Sequence, residues 1–242
     1  MIGKQRKFIL EVPIFSNKNP IETLQITQGF DCDFISLKFD IETEAQIPSA
    51  ANLLEKLLPY IEKPLMIRGV NKDATDIDLL PKLMQVLDRE SIIAFANENT
   101  YKKIVPPVIA GNHTLVLRTP IDINLAKELN ILSNDLGLSL DKILIDTDIG
   151  GLGCGFEYGY SIMEKINLED DKFLNMPMIT FAAEESLKTK ETKSDSFSKS
   201  YGTLNSRIKM FELAASASAI AAGAEYIVLN HPQNLQTMRR LF

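Results

Sequence analysis

The stretch ILIDTDIGGLGCGFEYGYS, residues 143–161, gathers the groups with the most chemical potential. An apolar run ends in Asp146 and Asp148, glycines follow at 150, 151 and 153, and a helical pattern begins near Glu157. Side chains two apart on a strand point to the same side, so the two carboxylates share a face. Such a pair could hold a metal, work as acid and base, or accept hydrogen bonds from a heterocycle with amide-like N–H groups. It could also simply cap the next helix. The glycines would let backbone amides approach a ligand closely, and the following helix offers free N–H groups that suit a phosphate. The Lys–Ser/Thr of a P-loop is missing, which disfavours nucleoside triphosphates. Cys154 is a thiol inside the loop, but no paired base accompanies it. Cys32 and Cys154 are far apart, as are His113 and His231, so no metal-ligating constellation and no catalytic set is assigned.

These groups need elements to position them. Short apolar runs recur at 7–12, 33–39, 64–70, 91–97, 113–119, 142–148, 177–183 and 225–231. Most are continuous rather than alternating, as expected for parallel strands covered on both faces. Helix-like segments separate them. In INLAKELNILSNDLG, Leu125, Leu129, Leu132 and Leu136 recur at helical spacing, Asp122 can cap the start and Gly137 suits the end. Phe156, Tyr160, Met163 and Ile166 share a helical face, and an Ala-rich helix ends at Gly223. Eight strands alternating with helices predict an α/β TIM (β/α)8 barrel in one domain, 1–242, with a shortened first β/α unit over 1–32 and a short helix at 20–28. A doubly wound open sheet is the second choice, weakened by the absence of GxGxxG after the first strand.

In a barrel, chemistry gathers at the carboxyl ends of the strands. The candidates there are Arg68 and Asn71, Asn97 and Asn99, Arg118, Asp122 and Asn124, Asp146 and Asp148 with the glycines, Glu184 and Glu185, and His231. The polar connection 183–205 is long enough to be a lid, a docking loop or a solvated loop with a helical turn near 185–193.

A net charge of −6 argues against nucleic acid as the main partner. No apolar run is long enough to span a bilayer, and the start MIGKQRKFILEVPIF, interrupted by Glu11 and Pro13, does not read as a signal peptide. The expectation is a cytoplasmic protein with reduced thiols.

Several stretches taken together resemble a known family. PLMIRGVNKDATD, NENTYKKI, PIDINLAKELNIL, ILIDTDIGGLGCGFEYGYSIMEKI, KTKETK and AGAEYIVLNHP keep their order from about residue 64 to 232. They look like the small (delta) subunit of the corrinoid iron–sulfur protein in the acetyl-CoA decarbonylase/synthase system. That resemblance implies a TIM barrel related to pterin-binding methyltransferases and a role in one-carbon metabolism. It implies a cobalt corrinoid shared with a large corrinoid/iron–sulfur subunit that carries the cluster, none being held by this chain. The implied methyl transfer runs between a methyl-tetrahydropterin and acetyl-CoA synthase, which adds a pterin methyltransferase and acetyl-CoA synthase as partners. The corrinoid-facing role carries onto Asp122 and Asn124 of PIDIN, and onto Asp146, Gly150, Gly151, Gly153 and Glu157. Asn97, and His231 of the family's His-Pro, complete the candidate cofactor-binding set; Lys190 and Glu191 of KTKETK match a family motif without an assigned role. The chain departs from the pattern at Thr147, where the family favours Pro, at Cys154, where it favours Tyr, and in having no Trp. Two alternatives stay open: a free-standing pterin-binding methyltransferase, and a non-catalytic barrel scaffold.

Overall fold

Strand follows helix along nearly the whole chain. The computed structural model describes residues 5–153 and 155–242. The strands are β1 (Lys7–Pro13), β2 (Phe34–Lys38), β3 (Leu65–Arg68), β4 (Ser91–Ala96), β5 (Thr114–Arg118), β6 (Ile143–Asp146), β7 (Ile179–Thr180) and β8 (Tyr226–Leu229). The helices are α1 (Pro20–Gln28), α2 (Ile47–Leu57), α3 (Asp73–Met84), α4 (Tyr101–Ala110), α5 (Ile123–Asp135), α6 (Phe156–Leu168), α7 (Ala182–Ser186), α8 (Leu204–Ala222) and α9 (Pro232–Leu241). All named strands pair in parallel, in the order β6-β5-β4-β3-β2-β1-β8-β7. One bridge, Ile145 to Met178, joins the two ends, so the barrel is nearly closed. The seam is thin because β7 is two residues long. Pro177 cannot donate to a ladder, and α7 starts only two residues after the strand ends, so the apolar run expected at 177–183 shortens.

Apolar residues line both faces of the sheet. Ile9, Met66, Ile92, Ala94, Val116, Leu144, Ile179 and Val228 fill the barrel interior. Their neighbours, among them Leu10, Leu37, Ile67, Leu115 and Ile145, face the helices. This double burial explains why the strands read as continuous apolar runs. Continuing the alternation by two residues places Glu11, Arg68, Arg118 and Asp146 inward at the carboxyl ends of β1, β3, β5 and β6. A register shift between Ala94 and Ala96 in β4 lets Phe95 join the interior as well.

Local signals set the helix ends. The Asp122 carboxylate accepts from the Asn124 and Leu125 amides at the start of α5. Gly223 ends α8 in the left-handed region, φ 114°, where L residues carry a steric cost.

Candidate functional site

The mouth at the carboxyl ends of the strands is floored by two ion-pair groups separated by an aromatic pair. In the first group, Arg68 is fully buried and its Nη1 lies 2.6 Å from Glu11 Oε1, while its Nη2 bonds Glu184. Ser36 Oγ donates to Glu11 Oε2 at 3.2 Å, and Lys38 Nζ stands 3.7 Å from Glu184 Oε1. In the second, Arg118 Nε donates to Asp146 Oδ2 at 2.5 Å. Arg118 Nη1 is 3.7 Å from Asp148 Oδ1, too far for a hydrogen bond, and although buried it has no hydrogen-bond partner among the described residues. Asp146 also accepts from the Asp148 amide at 3.0 Å.

Phe95 and Phe181 meet edge to face between the groups, with centroids 4.8 Å apart. The Arg118 guanidinium carbon lies 3.4 Å from the Phe95 centroid, and that of Arg68 lies 4.7 Å from the Phe181 centroid. A planar guanidinium is weakly hydrated and stacks on aromatic faces, so these contacts help offset the burial of two cations.

The carboxylates divide by environment. Burial pushes Asp146 above the ordinary aspartate range, with Arg118 pulling the other way and Asp148 adding to the rise. Burial pushes Glu184 upward too, but Arg68, Lys38, Arg118 and Lys188 outweigh it and hold the carboxyl below the usual glutamate range. A depressed folded value means that Glu184 stabilises the fold above its unfolded range and loses that contribution as pH falls through the folded value. Glu184→Gln should therefore cost about 1–3 kcal/mol near neutrality. The gap to wild type should narrow in urea titrations taken below the usual glutamate range, down to about pH 3. A gap that stays constant with pH would show that Glu184 is not the linked group.

The other expected site residues all sit at this end of the barrel, with differing engagements. Asn97 clamps neighbouring loops: its Nδ2 donates to Asp73 at 2.7 Å and its Oδ1 accepts from the Asn99 and Thr100 amides. Asp122 is spent on its cap, whereas Asn124 in the first turn of α5 is exposed. Glu157, in the first turn of α6, is exposed as well. His231 Nδ1 bonds the buried Glu212 of α8, which also accepts from the Asn230 and His231 amides. Cys154 lies outside the described residues.

The glycines serve different purposes. Gly150 is half-buried. A Cβ on buried Gly151 would stand 2.9 Å from Thr189 Cγ2 and 3.1 Å from the Glu185 carbonyl oxygen, so this glycine admits another piece of the protein. Gly153 adopts φ 73°, and a Cβ there would meet nothing within 4 Å, so its outer side is open. The piece that packs on Gly151 belongs to the excursion after α7, which contains KTKETK. Buried Arg207 of α8 holds that excursion through the carbonyls of Glu191, Ser194 and Gly202 at 2.7, 2.5 and 2.6 Å. Lys190 is exposed and Glu191 half-buried.

Among the described residues, no cluster of three or more His, Cys, Asp or Glu has an arrangement suited to a metal ion. No helix of these residues is long and apolar enough to cross a membrane.

Sequence comparison identifies the lineage. The family model described as CO dehydrogenase/acetyl-CoA synthase delta subunit matches residues 16–209. The chain belongs to this family. Among its relatives, the acetyl-CoA decarbonylase/synthase complex subunit delta of Methanocaldococcus jannaschii is 25% identical over 222 residues, 88% of this chain and 54% of the relative. Subunit delta 2 of the same complex in Methanosarcina acetivorans is 27% identical over 231 residues, again 88% of this chain and 52% of the relative. The delta-family chain thus spans about half the length of the curated relatives it matches. Solved structures with the same fold include Yersinia pestis dihydropteroate synthase with a pterine-sulfa conjugate, TM-score 0.67, 9% identity, covering 98% of this chain and 93% of the enzyme. Another is Coxiella burnetii dihydropteroate synthase with pteroic acid, TM-score 0.64, 11% identity, covering 100% and 93%. At such identities the likeness is one of fold.

Sequence reasoning placed Arg68, Arg118 and Glu184 at strand ends but left them out of the cofactor-binding set, and it missed Glu11, Phe95 and Phe181. A signal for Glu11 was present: it is a lone charge in an apolar run that must be buried on both faces.

Proposed function

We propose that this delta-family barrel holds one side of a cobalt corrinoid shared with a large corrinoid/iron–sulfur subunit. Its role is methyl transfer between a methyl-tetrahydropterin and acetyl-CoA synthase, as a non-catalytic subunit working in the cytoplasm. The observation that carries this reading is the delta-subunit family match over 16–209. The shape of the mouth supports it. Arg68, Arg118, Phe95 and Phe181 fill the floor, so a ligand would lie across the rim rather than descend into the barrel. The rim offers what a wide flat macrocycle with amide arms needs. Gly153 has an open outer side, and Asn124 is an exposed amide. A bound corrinoid would supply the cobalt that carries the methyl group; the residues of this chain would seat and shield it.

The pterin-binding alternative draws on the fold shared with dihydropteroate synthases crystallised with pterin compounds. It requires Asp146 to accept from the heterocycle, and Asp146 is already paired with Arg118. The test is co-production with the large subunit. A stable pair with corrinoid absorbance is expected, together with no measurable pterin binding by the isolated chain. A pair that forms without corrinoid would favour the scaffold alternative, and pterin binding by the isolated chain would favour the methyltransferase.

A further inference from the structure

We infer that the gap between the Phe95 face and the Asp146–Asp148 carboxylates is a binding slot for a planar group with an N–C–N donor edge, and that Arg118 fills it in cis. The guanidinium presents that edge to two acidic groups: Nε to Asp146 at 2.5 Å and Nη1 toward Asp148 at 3.7 Å. Its plane carbon lies 3.4 Å from the Phe95 centroid, and Phe181 stands 5.1 Å away. The side chain is about nine-tenths buried and leaves Nη1 without a hydrogen-bond partner among the described residues. An aromatic wall, a buried carboxylate and a second carboxylate part-way out make a recognition site for amidines and 2-aminopyrimidinones, the ring edge shared by pterins and guanine. Here the ligand is covalently attached. A tethered group competes at an effective concentration on the order of millimolar, so free heterocycles at lower concentration are kept out. Arg118 thus acts as a specificity-determining residue that bars flat heterocycles from the mouth. The inference stands on this geometry and does not depend on the corrinoid reading.

Removing the tether should make the slot dependent on added ligand. In Arg118→Ala, methylguanidinium at ten times its Kd should raise Tm by about 3–5 °C, while the same concentrations of ammonium chloride or urea do not. Wild type should shift by less than about 1 °C under the same conditions. Pterin, the neutral probe, should bind Arg118→Ala at least about tenfold more tightly than wild type. Arg118→Ala/Asp146→Asn, which removes the unpaired buried charge, should lose both responses. Should Arg118→Ala fail to accumulate folded, refolding yield with and without methylguanidinium gives the same reading, and a gain is expected. No selective response to methylguanidinium, a response retained in the double variant, or equal pterin affinity in wild type and variant would overturn the inference.

Discussion

Alanine at position 68 should lower the free energy of unfolding by about 3–5 kcal/mol, a large part of what a domain this size possesses. Arg68 is fully buried and neutralises Glu11, itself almost entirely buried, and Glu184, which is mostly so. Deleting the guanidinium leaves two carboxylates in a low-dielectric site, and among the described residues Glu11 then keeps Ser36 as its side-chain hydrogen-bond donor. The cost is the stranded charge more than the lost attraction. A double variant separates the two effects. Arg68→Met/Glu11→Gln removes the cation together with the deeper carboxylate and should recover at least half of the loss. Urea unfolding of wild type, Arg68→Ala and the double variant measures this directly. A single variant within about 1 kcal/mol of wild type would mean that the network is solvated and contributes like a surface pair.

The same pairs show where sequence reading stops. Eight strands were legible because double burial writes each of them as an apolar run. The Asp122 cap and the Gly137 and Gly223 stops were legible because capping acts within one helical turn. The mouth was not, because its bonds join residues 28, 57 and 116 positions apart. Strand alternation could place Arg118 and Asp146 on the same level, but it could not show that one would take the other as its ligand. Phe95 faces inward through a register shift that periodicity does not reveal. The glycine loop was half legible. Gly153 has the open outer side expected of a ligand-facing glycine, whereas Gly151 is small for the sake of Thr189, 38 residues on in sequence. His231 was placed at a strand end, yet its Nδ1 is committed to Glu212, a lone carboxylate on the buried side of an Ala-rich helix. The one carboxylate in an Ala-rich helix was the overlooked clue.

The contact at Gly151 ties the excursion after α7 to the glycine loop, and Arg207 controls both. Its carbonyl partners are Glu191, Ser194 and Gly202, with the Phe197 ring 5.2 Å from the guanidinium carbon. Hydrogen bonds to a charged donor contribute about 1.5–3 kcal/mol each, but their loss here is shared by a segment that can open without unfolding the barrel. Arg207→Met keeps the apolar stem and removes every one of those bonds. Amides of residues 188–203 should then exchange about 30- to 150-fold faster, corresponding to about 2–3 kcal/mol of local stability. Exchange should also rise at 150–153, because the excursion supplies the surface on which Gly151 rests, while the amides of β2 and β3 on the far side keep their protection. A lysine at 207 should restore little, since a single ammonium on a flexible stem cannot reproduce the fixed fork of donors. If exchange rises uniformly through the barrel, Arg207 supports the global fold and not this segment. If 188–203 speeds up while 150–153 does not, the glycine loop holds its shape without the excursion, and the coupling drawn from the 2.9 Å approach of Thr189 is absent.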